Sequence, residues 1–468
     1  MFTEEKLIKI LAVCITSAIC MTRISMAVGQ VFQGLALLTG IILFFRRGRR
    51  VMINPESKKY YIVALFFFAS TMISAIGAIN PGTVVKECFN MWGWRSVPFL
   101  LVAAFIYRQD YLRNMLIALL CIQGIEGFCA AAECIILGDR GWGIGPVGTN
   151  PLALAGMMCL VYPVACILLL DSRFDKTLKK AAAFCFTGIT GGLLGAQSRG
   201  AWLVALVSMP IAFAPYARKS LKALTAVLTV AALVVGIFAV QPKYLNRLLS
   251  SSNMTTDWSN THRLWLWESC INMFKDHPVK GIGLGNFTLF YREHGYWMHN
   301  GKGEPTQEEL RRQKNPPPKT PVKKQAAPQQ KAAVKQAPVK KQAAPQQKAA
   351  VKQAPAKKQA APQQKAAVQK RLFVDMHAHN SYFQLLAETG IIGFAGLLFF
   401  VLYCLGNSLR NWFKEKNPYD LMFFTSFLAF FVLFAQVEHI VDNSSAVRMM
   451  WFLLAVILQM KHLGRKEG

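Results

Sequence analysis

The sequence predicts an all-α polytopic membrane protein with about 12 transmembrane helices and one large extracytoplasmic loop between helices 9 and 10. The chain has 468 residues, of which 53% are hydrophobic and 12% are aromatic. Most apolar residues fall in runs of roughly 15–23, and about 20 apolar residues allow a helix to cross ~30 Å of hydrocarbon. The polar residues collect instead in one long segment after the ninth run. This division of the sequence excludes a soluble globular domain.

The apolar runs predict twelve spans, with a short fourth span and a tight turn at Ser198–Gly200 between the seventh and the eighth. The expected spans are 8–22, 25–45, 60–79, 96–107, 115–137, 152–170, 181–196, 202–216, 221–240, 385–406, 421–437 and 446–460. They divide the chain into three parts. Residues 1–240 hold helices 1–9, residues 241–384 form the extracytoplasmic loop, and residues 385–468 hold helices 10–12 and a cytoplasmic tail.

Positive charge is concentrated in every second connecting loop, for example at Arg46–Arg50 and Arg218–Lys222. The alternate loops hold only scattered cations, which are Arg23, Lys86, Arg95, Arg140, Arg199 and Arg448. Since loops rich in Lys and Arg stay on the cytoplasmic side, both termini are predicted to be cytoplasmic. The segment from Gln241 to about Ser381 is then predicted to lie outside.

A basic repeat occupies part of this outer segment, at about residues 311–371. The block KKQAAPQQKAAVKQAPV begins at Lys323, recurs at Lys340 and returns in altered form at Lys357. Between Arg311 and Arg371 there are 17 Lys or Arg residues and no Asp or Glu. Because such a sequence has too little apolar surface to offset chain ordering, we expect disorder. It is either a solvated tether or a segment that contacts anionic polymers or lipid phosphates. Nucleic acid is not an expected partner.

The eleven cysteines lie mostly within apolar runs, where they serve as small buried residues. Their spacing matches neither a disulfide framework nor a metal site. We therefore expect no metal and no cofactor.

Two acidic residues fall inside the fifth predicted helix. Glu126 and Glu133 are seven residues apart, so they share one face of that helix. Burying a carboxylate in the membrane is costly unless it is paired or protonated. The sequence leaves open whether this pair serves packing or function.

The string GAQSRGAWL, residues 195–203, places Arg199 at the outer turn between helices seven and eight. A guanidinium offers a planar fork of donors that suits phosphate oxygens. An interfacial Arg also commonly extends to lipid headgroups. Both interpretations stand at this point.

The long loop opens with THRLWLWESCINMFKDHPVKGIGLGNF, residues 261–287. Arg263, Trp265, Trp267 and Ile271 recur at near-helical spacing, which predicts an amphipathic helix at about 261–277 on the outer leaflet. The glycine-rich GIGLGN that follows indicates a flexible turn. It has no flanking βαβ unit, so a dinucleotide site is rejected.

The stretch DMHAHNSYFQLLAETGIIG, residues 375–393, contains two histidines where the long loop meets the tenth helix. A histidine with hydrogen-bonding neighbours can act as a general base toward a sugar hydroxyl at neutral pH. We predict His379 as the catalytic residue, with His377 and Asn380 supporting it. A purely structural interfacial histidine is the alternative.

Taken together, these motifs resemble the O-antigen ligase family, within a superfamily shared with O-antigen polymerases and protein O-oligosaccharyltransferases. The resemblance rests on SRGAW at 198–202, on Arg263 and Trp267 with DHPVKGIGLGNF after them, and on HNSYFQLLAETGIIG from His379. The segment GPVGTNPLALA, residues 145–155, is similar to the family's Asn-Pro segment. The resemblance covers about residues 130–300 and 375–460, and the basic repeat departs from it.

The resemblance implies a C-type glycosyltransferase-like membrane fold in the bacterial inner (cytoplasmic) membrane, with the active site on the periplasmic face. It implies inverting, metal-independent transfer of a polysaccharide from undecaprenyl diphosphate to the lipid A–core. By motif, Arg199 and Arg263 would bind the substrate diphosphate and His379 would activate the acceptor hydroxyl. The implied partners are the undecaprenyl-diphosphate-linked glycan donor, the lipid A–core acceptor and membrane lipids.

Three alternatives remain at this point. An O-antigen or polysaccharide polymerase would use a second lipid-linked glycan as acceptor, and a protein O-oligosaccharyltransferase would use Ser or Thr hydroxyls. A polysaccharide transporter or flippase would use Glu126 and Glu133 as an ion path. Such a transporter is expected to have internal repeats with paired broken helices, and the sequence has no such symmetry.

Overall fold

The structure is a computed structural model that describes residues 3–48, 53–144, 151–217, 225, 232, 236, 240–250, 258–293, 298–299, 302–303, 377–440 and 444–467. The basic repeat and most of the predicted span 221–240 lie outside the described residues. The chain divides into two compact units, Met1–Trp297 with Met376–Gly468, and Met298–Asp375. In the second unit, the described residues form a two-stranded antiparallel hairpin of β1 (Met298–His299) and β2 (Lys302–Gly303).

The first unit is helical throughout its regular structure. Its helices before the long loop are α1 (Glu4–Met21), α2 (Met26–Arg47), α3 (Pro55–Met72), α4 (Pro81–Cys88), α5 (Val97–Phe105), α6 (Gln109–Leu137), α7 (Pro151–Leu170), α8 (Lys176–Ala196) and α9 (Arg199–Ala217). Those that follow are α10 (Pro242–Leu249), α11 (Trp258–Asp276), α12 (Phe287–Glu293), α13 (Ser381–Glu415), α14 (Pro418–Phe427) and α15 (Ser444–Glu467). A π-helical turn at Leu428–Leu433 and a 3₁₀ turn at Phe434–Gln436 extend α14.

The predicted all-α membrane class is confirmed, whereas the count of 12 spans is not. Seven described helices are long and apolar enough to cross a membrane, namely Met26–Arg47, Gln109–Leu137, Pro151–Leu170, Arg199–Ala217, Ser381–Glu415, Pro418–Gln436 and Ser444–Arg465. Other predicted spans fall short for physical reasons. The predicted span 96–107 is not a separate regular helix, because α5 continues from α4 through a π-helical turn at Phe89–Gly93 and a 3₁₀ turn at Trp94–Ser96. The helices α1, α3 and α8 have charged residues in their first turns or just beyond.

Glycines bring α6 and α8 into close contact. A Cβ on Gly188 would lie 2.3 Å from the carbonyl oxygen of Gly124, so a larger side chain would push the two helices apart. Small residues at such crossings are typical of membrane helix pairs, since they let the backbones approach. Just after α6, the Gly141 amide donates to the carbonyl of Gly195 in the last turn of α8 at 2.9 Å. The close packing thus holds the loop after α6 against the turn that leads to α9.

The helix α13 is broken at Gly390, which has φ of 60° and ψ of −165°. The turn after α11 docks into this break through main-chain hydrogen bonds. The amide of Gly283 donates to the carbonyl of Glu388 at 2.8 Å, and that of Ile391 donates to Pro278 at 2.8 Å. A Cβ on Gly281 would lie 2.4 Å from the Glu388 carbonyl oxygen, so the approach requires glycine. The segment that was expected to be a flexible turn is anchored to α13.

The two intramembrane carboxylates have protein partners. Glu126 is buried and forms an ion pair with Arg23, which is also buried. Glu133 accepts hydrogen bonds from the main-chain amides of Trp142 and Gly143. These contacts support the packing interpretation of both carboxylates. They also show that Arg23, expected as a scattered loop cation, is an internal ion-pair partner.

Candidate functional site

The loop before α13 carries both predicted histidines and is anchored at each end. The indole nitrogen of Trp267 donates to the Ala378 carbonyl at 2.9 Å, and the Ala378 amide donates to Gln384 Oε1 at 2.9 Å. Asn380 caps the N-terminus of α13 with its side-chain oxygen. Its Nδ2 donates to the Gln436 carbonyl at 3.0 Å, which ties the loop to the end of α14. Asn380, predicted as a supporting residue, therefore positions the loop.

His379 is paired with a carboxylate that the sequence analysis did not select. Its Nδ1 lies 3.1 Å from Glu438 Oε1 and 3.3 Å from Oε2. His379 adopts a φ of 50°, in the left-handed region that non-glycine residues seldom occupy. Such a conformation costs of order 1–3 kcal/mol and persists only where surrounding contacts enforce it. Here it accompanies the side-chain contact with Glu438.

His377 lies beside the same pair. Its Nε2 is 3.5 Å from Glu438 Oε1, and the ring centroids of His377 and His379 are 4.3 Å apart. The side chains of His377 and His379 are 26% and 27% exposed, whereas that of Glu438 is 8% exposed. The ring of His439 is 5.9 Å from that of His377. His377 and His379 are thus partly open to solvent or substrate, whereas His439 and the Glu438 carboxylate are buried.

Glu438 is held in its charged form. Burial by itself would raise the pKa of Glu438, but the hydrogen bond with His379 opposes it, as do the charges of His379, His377 and Arg263. The balance places the pKa of Glu438 below the ordinary value for a glutamate. An ionised carboxylate can only accept hydrogen bonds.

This charge assigns the His379 tautomer. Because Glu438 can only accept, the proton between the two residues sits on Nδ1 of His379. In the neutral ring, Nε2 is then the nitrogen with a lone pair. The arrangement provides a basic nitrogen on a partly exposed ring, supported from behind by a buried anion.

The same three side chains have the chemistry of metal ligands. One ligand atom from each of His377, His379 and Glu438 lies within 4.8 Å of the others. Two imidazoles and a carboxylate form a donor set that Zn²⁺ accepts. The direct contact between His379 and Glu438 is also the pairing that a general base requires. Activity measured with and without a metal chelator therefore distinguishes metal binding from general-base catalysis at this site.

Arg263 is brought to the site by α11. This helix packs one face against α13, with Leu266, Cys270 and Met273 buried. Arg263 stands one turn before Trp267, whose indole bonds the histidine loop. Its charge acts on Glu438. The predicted diphosphate residue Arg263 and the predicted base therefore share one neighbourhood.

Arg199 begins α9 and is held by two side chains. Its Nη1 donates to Ser250 Oγ at 2.9 Å, and its Nη2 donates to Asn260 Oδ1 at 3.3 Å. The next residue, Gly200, packs against Val437, because a Cβ at 200 would lie 2.5 Å from Val437 Cγ2. Since Glu438 follows Val437 directly, the Arg199 turn rests on the segment that presents the carboxylate.

Two further arginines, Arg140 and Arg247, lie near Arg199. The sequence did not predict them as site residues. Arg140 Nη2 and Arg247 Nε donate to the same carbonyl oxygen, that of Gln197, at 3.2 Å and 2.8 Å. Arg140 interacts electrostatically with Arg247, Arg199 and Arg263. The described residues thus place four guanidiniums in one positively charged region.

The sequence offered a weak signal for Glu438 and less for the two arginines. Glu438 lies in AQVEHIVDN, a polar connection next to a histidine in a chain with only 24 acidic residues. Its partner His379 is distant in the sequence, so no spacing rule joins them. Arg140 lies in the loop after α6 and Arg247 in the short helix α10, and only folding brings them to one carbonyl.

One known family matches part of the chain. Residues 182–309 match the family model described as O-antigen ligase, so the resemblance seen in the motifs is confirmed for this part of the chain. The matched region contains Arg199, Arg247 and Arg263, while the histidines and Glu438 lie beyond it. No curated protein matches the chain. The chain is thus a multi-pass membrane protein in which residues 182–309 are similar to the O-antigen ligase family.

Proposed function

We propose that this protein is an O-antigen ligase that transfers a polysaccharide from undecaprenyl diphosphate to a sugar of the lipid A–core. The observation that carries the proposal is the His379–Glu438 pair, with Arg263 in electrostatic contact, in a chain that matches the O-antigen ligase family. An inverting transfer needs a base on one side of the anomeric carbon and a stabilised anionic leaving group on the other. The site offers both kinds of group.

In the proposed mechanism, Glu438 holds the His379 ring with Nε2 facing the acceptor. Nε2 takes the proton from the acceptor hydroxyl as the hydroxyl oxygen attacks the anomeric carbon. The bond between that carbon and the diphosphate oxygen breaks, and the diphosphate leaves with the electron pair. Arg199 and Arg263 stabilise the charge that develops on the leaving group. Inversion at the anomeric carbon follows from the single displacement.

His377 supports His379 in this scheme. Its Nε2 also faces Glu438, at 3.5 Å from Oε1. Its ring therefore adds a second polar contact to the carboxylate that orients His379. Both histidines sit on the proposed periplasmic face of the inner membrane, with both termini in the cytoplasm.

The proposal is tested by the surface glycolipids of a strain from which the gene is deleted. A ligase deletion leaves bare lipid A–core and polymer stranded on the lipid carrier. A polymerase deletion leaves core capped by a single repeat unit, and deletion of a protein transferase leaves the glycolipids unchanged. Either of the last two patterns would reject the ligase assignment.

A second arm of the test addresses metal chemistry at the histidines. We propose metal-independent transfer, so the purified protein should retain its activity after dialysis against EDTA. Loss of activity on chelation and its return with Zn²⁺ would instead assign His377, His379 and Glu438 as ligands. The donor set would then act through a metal rather than through a free base.

A further inference from the structure

We propose that Arg140 and Arg247 bind the second phosphate of the donor and make the site selective for diphosphate over monophosphate carriers. This inference rests on the proposed function, since it assigns residues to the leaving-group site of the same reaction. It extends the pair Arg199 and Arg263 to a clamp of four guanidiniums. One pair of arginines would then bind each phosphate.

The first support is the shared acceptor of the two side chains. Arg140 Nη2 and Arg247 Nε both lie within 3.2 Å of the Gln197 carbonyl oxygen. Gln197 ends α8 in the left-handed conformation, with φ of 49°. Two guanidiniums are therefore fixed side by side on one oxygen, and each retains further N–H groups that this carbonyl does not use.

The second support is a direct link to Arg199. Ser250 Oγ accepts from Arg199 Nη1 at 2.9 Å and donates to the Arg247 carbonyl at 2.9 Å. One hydroxyl thus joins the Arg199 side chain to the backbone of Arg247. The proposed second pair of arginines is positioned together with a residue already assigned to the diphosphate.

The third support is electrostatic. Burial lowers the pKa of Arg140 to about 10, and repulsion from Arg247, Arg199 and Arg263 contributes to the shift, against attraction from Asp139. Arg140 nevertheless remains charged at neutral pH. Its Nε is buried and has no hydrogen-bond partner among the residues that the structure describes. A bound anion would relieve the repulsion and supply an acceptor for this donor.

The number of charges favours a diphosphate as the ligand. A guanidinium binds a phosphate through paired N–H···O bonds. A diphosphate presents two phosphate groups joined by one bridging oxygen, so it carries more charge and more acceptor oxygens than a monophosphate. Four guanidiniums therefore match the charge of a diphosphate better than that of a monophosphate.

The test measures binding of two probes, undecaprenyl diphosphate and undecaprenyl monophosphate, to the purified full-length protein in nanodiscs. The wild type should bind the diphosphate more tightly. In the double variant Arg140→Gln/Arg247→Gln, diphosphate affinity should fall by about 10-fold or more, as expected for loss of charge-assisted hydrogen bonds. Monophosphate affinity should change little. The Gln side chains retain an N–H donor for the Gln197 carbonyl, which limits structural damage.

Arg410→Gln is the matched control, because Arg410 is exposed near the far end of α13. It should leave both affinities unchanged. An equal fall for both probes, or no fall for either, in the folded double variant would overturn the assignment of Arg140 and Arg247. Failure of the wild type to bind either lipid would instead reject the proposed function itself. A single Arg140→Lys variant, which keeps the charge but not the fork, should lose part of the preference for diphosphate.

Discussion

Two ionic clusters at opposite ends of α15 have similar groups and opposite surroundings. Lys461, near the C-terminal end, is fully buried and contacts Asp420 Oδ1 and Glu56 Oε1, each at 2.6 Å. Glu438 precedes the N-terminal end, and its partners His377 and His379 are about a quarter exposed. Between Ser444 and Lys461, α15 extends for about 26 Å at 1.5 Å per residue.

The two clusters differ in which of their charged or titratable groups is exposed. At Lys461 the cation is enclosed by carboxylates, so the charges serve to hold α3, α14 and α15 together. At Glu438 the carboxylate is the enclosed group, and the titratable rings in front of it can meet a substrate. A buried carboxylate behind two partly exposed histidines suits proton transfer. A buried lysine between carboxylates suits the packing of helices.

The largest expected effect is on catalysis at the histidine cluster. His379→Ala should lower kcat by about 10²–10⁴-fold, the range that a general base contributes. The melting temperature should also fall somewhat, because the variant removes the hydrogen bond of His379 to the buried Glu438, so kcat is compared per folded molecule. Transfer assays on purified protein and thermal melting in detergent measure the two quantities. His377→Ala is the comparison variant and should have the smaller effect, and a reversed order would exchange the two roles.

The second prediction concerns the enclosed cluster. Lys461→Met should destabilise the protein by about 3–5 kcal/mol, because it leaves the buried Asp420 carboxylate without its cation, while Glu56 keeps Arg465 as a partner. Transfer activity per folded molecule should be retained. Melting temperature and activity normalised to the folded fraction provide the measurement. A stable variant that has lost activity would mean that Lys461 is needed for transfer and would contradict this prediction.

The third prediction follows from the charge on Glu438. Its pKa is lowered in the folded state, so its stabilising effect is full at pH values above the ordinary glutamate value of about 4.3. That effect should disappear as the pH falls through the lower, folded-state value. The stability difference between wild type and Glu438→Gln should therefore be present at pH 7 and shrink in acid. A difference that does not vary with pH would mean that the Glu438 charge is not stabilised by the histidines.

A smaller effect is expected where the arginine turn meets the carboxylate segment. In Gly200→Ala, the new methyl would lie 2.5 Å from Val437 Cγ2 and displace the residue before Glu438. Overpacking of this kind costs about 1–3 kcal/mol, and transfer should weaken with it. Gly406→Ala on α13 is the control, since nothing lies within 4 Å of a Cβ at that position. If Gly200→Ala and Gly406→Ala had the same stability and the same transfer activity, the contact between Gly200 and Val437 would not connect Arg199 to Glu438.

The smallest effect is expected for the basic repeat. Deletion of 323–368 should leave transfer within about a factor of two, since loop-closure entropy changes only logarithmically with length. A second variant keeps the length and replaces the lysines with Gln, which separates charge from tether length. A large loss in both variants would assign the lysines a direct role with an anionic polymer or lipid.

Motifs in the sequence select individual residues of the candidate site, but they do not predict how these residues pair. Local sequence selected His379, Arg199 and Arg263, because each lies in a short string with a recognisable chemistry. Glu438 and Arg247 lack such strings, and their roles arise from contacts made by distant segments. Glu126 shows the reverse case, since hydropathy marked it as unusual and only the fold revealed Arg23 as its partner.

The number of membrane spans is a second feature that apolar sequence length does not settle. Apolar length alone predicts twelve spans, and seven of the described helices combine enough length with enough apolar character to cross a membrane. The helices α1 and α8 begin with charged turns, and α5 is the last part of a helical stretch that begins at Pro81. The break at Gly390 was also invisible in the sequence pattern, because the apolar run continues across it.

The most direct test of the central claim is single-turnover transfer in proteoliposomes loaded with undecaprenyl-diphosphate-linked glycan. The amount of donor bound and the rate of glycan transfer are measured for the wild type and for His379→Ala. The variant should bind the same amount of donor as the wild type and transfer it at least about 100-fold more slowly. Transfer at the wild-type rate by the folded, donor-loaded variant would contradict the assignment of His379 as the base.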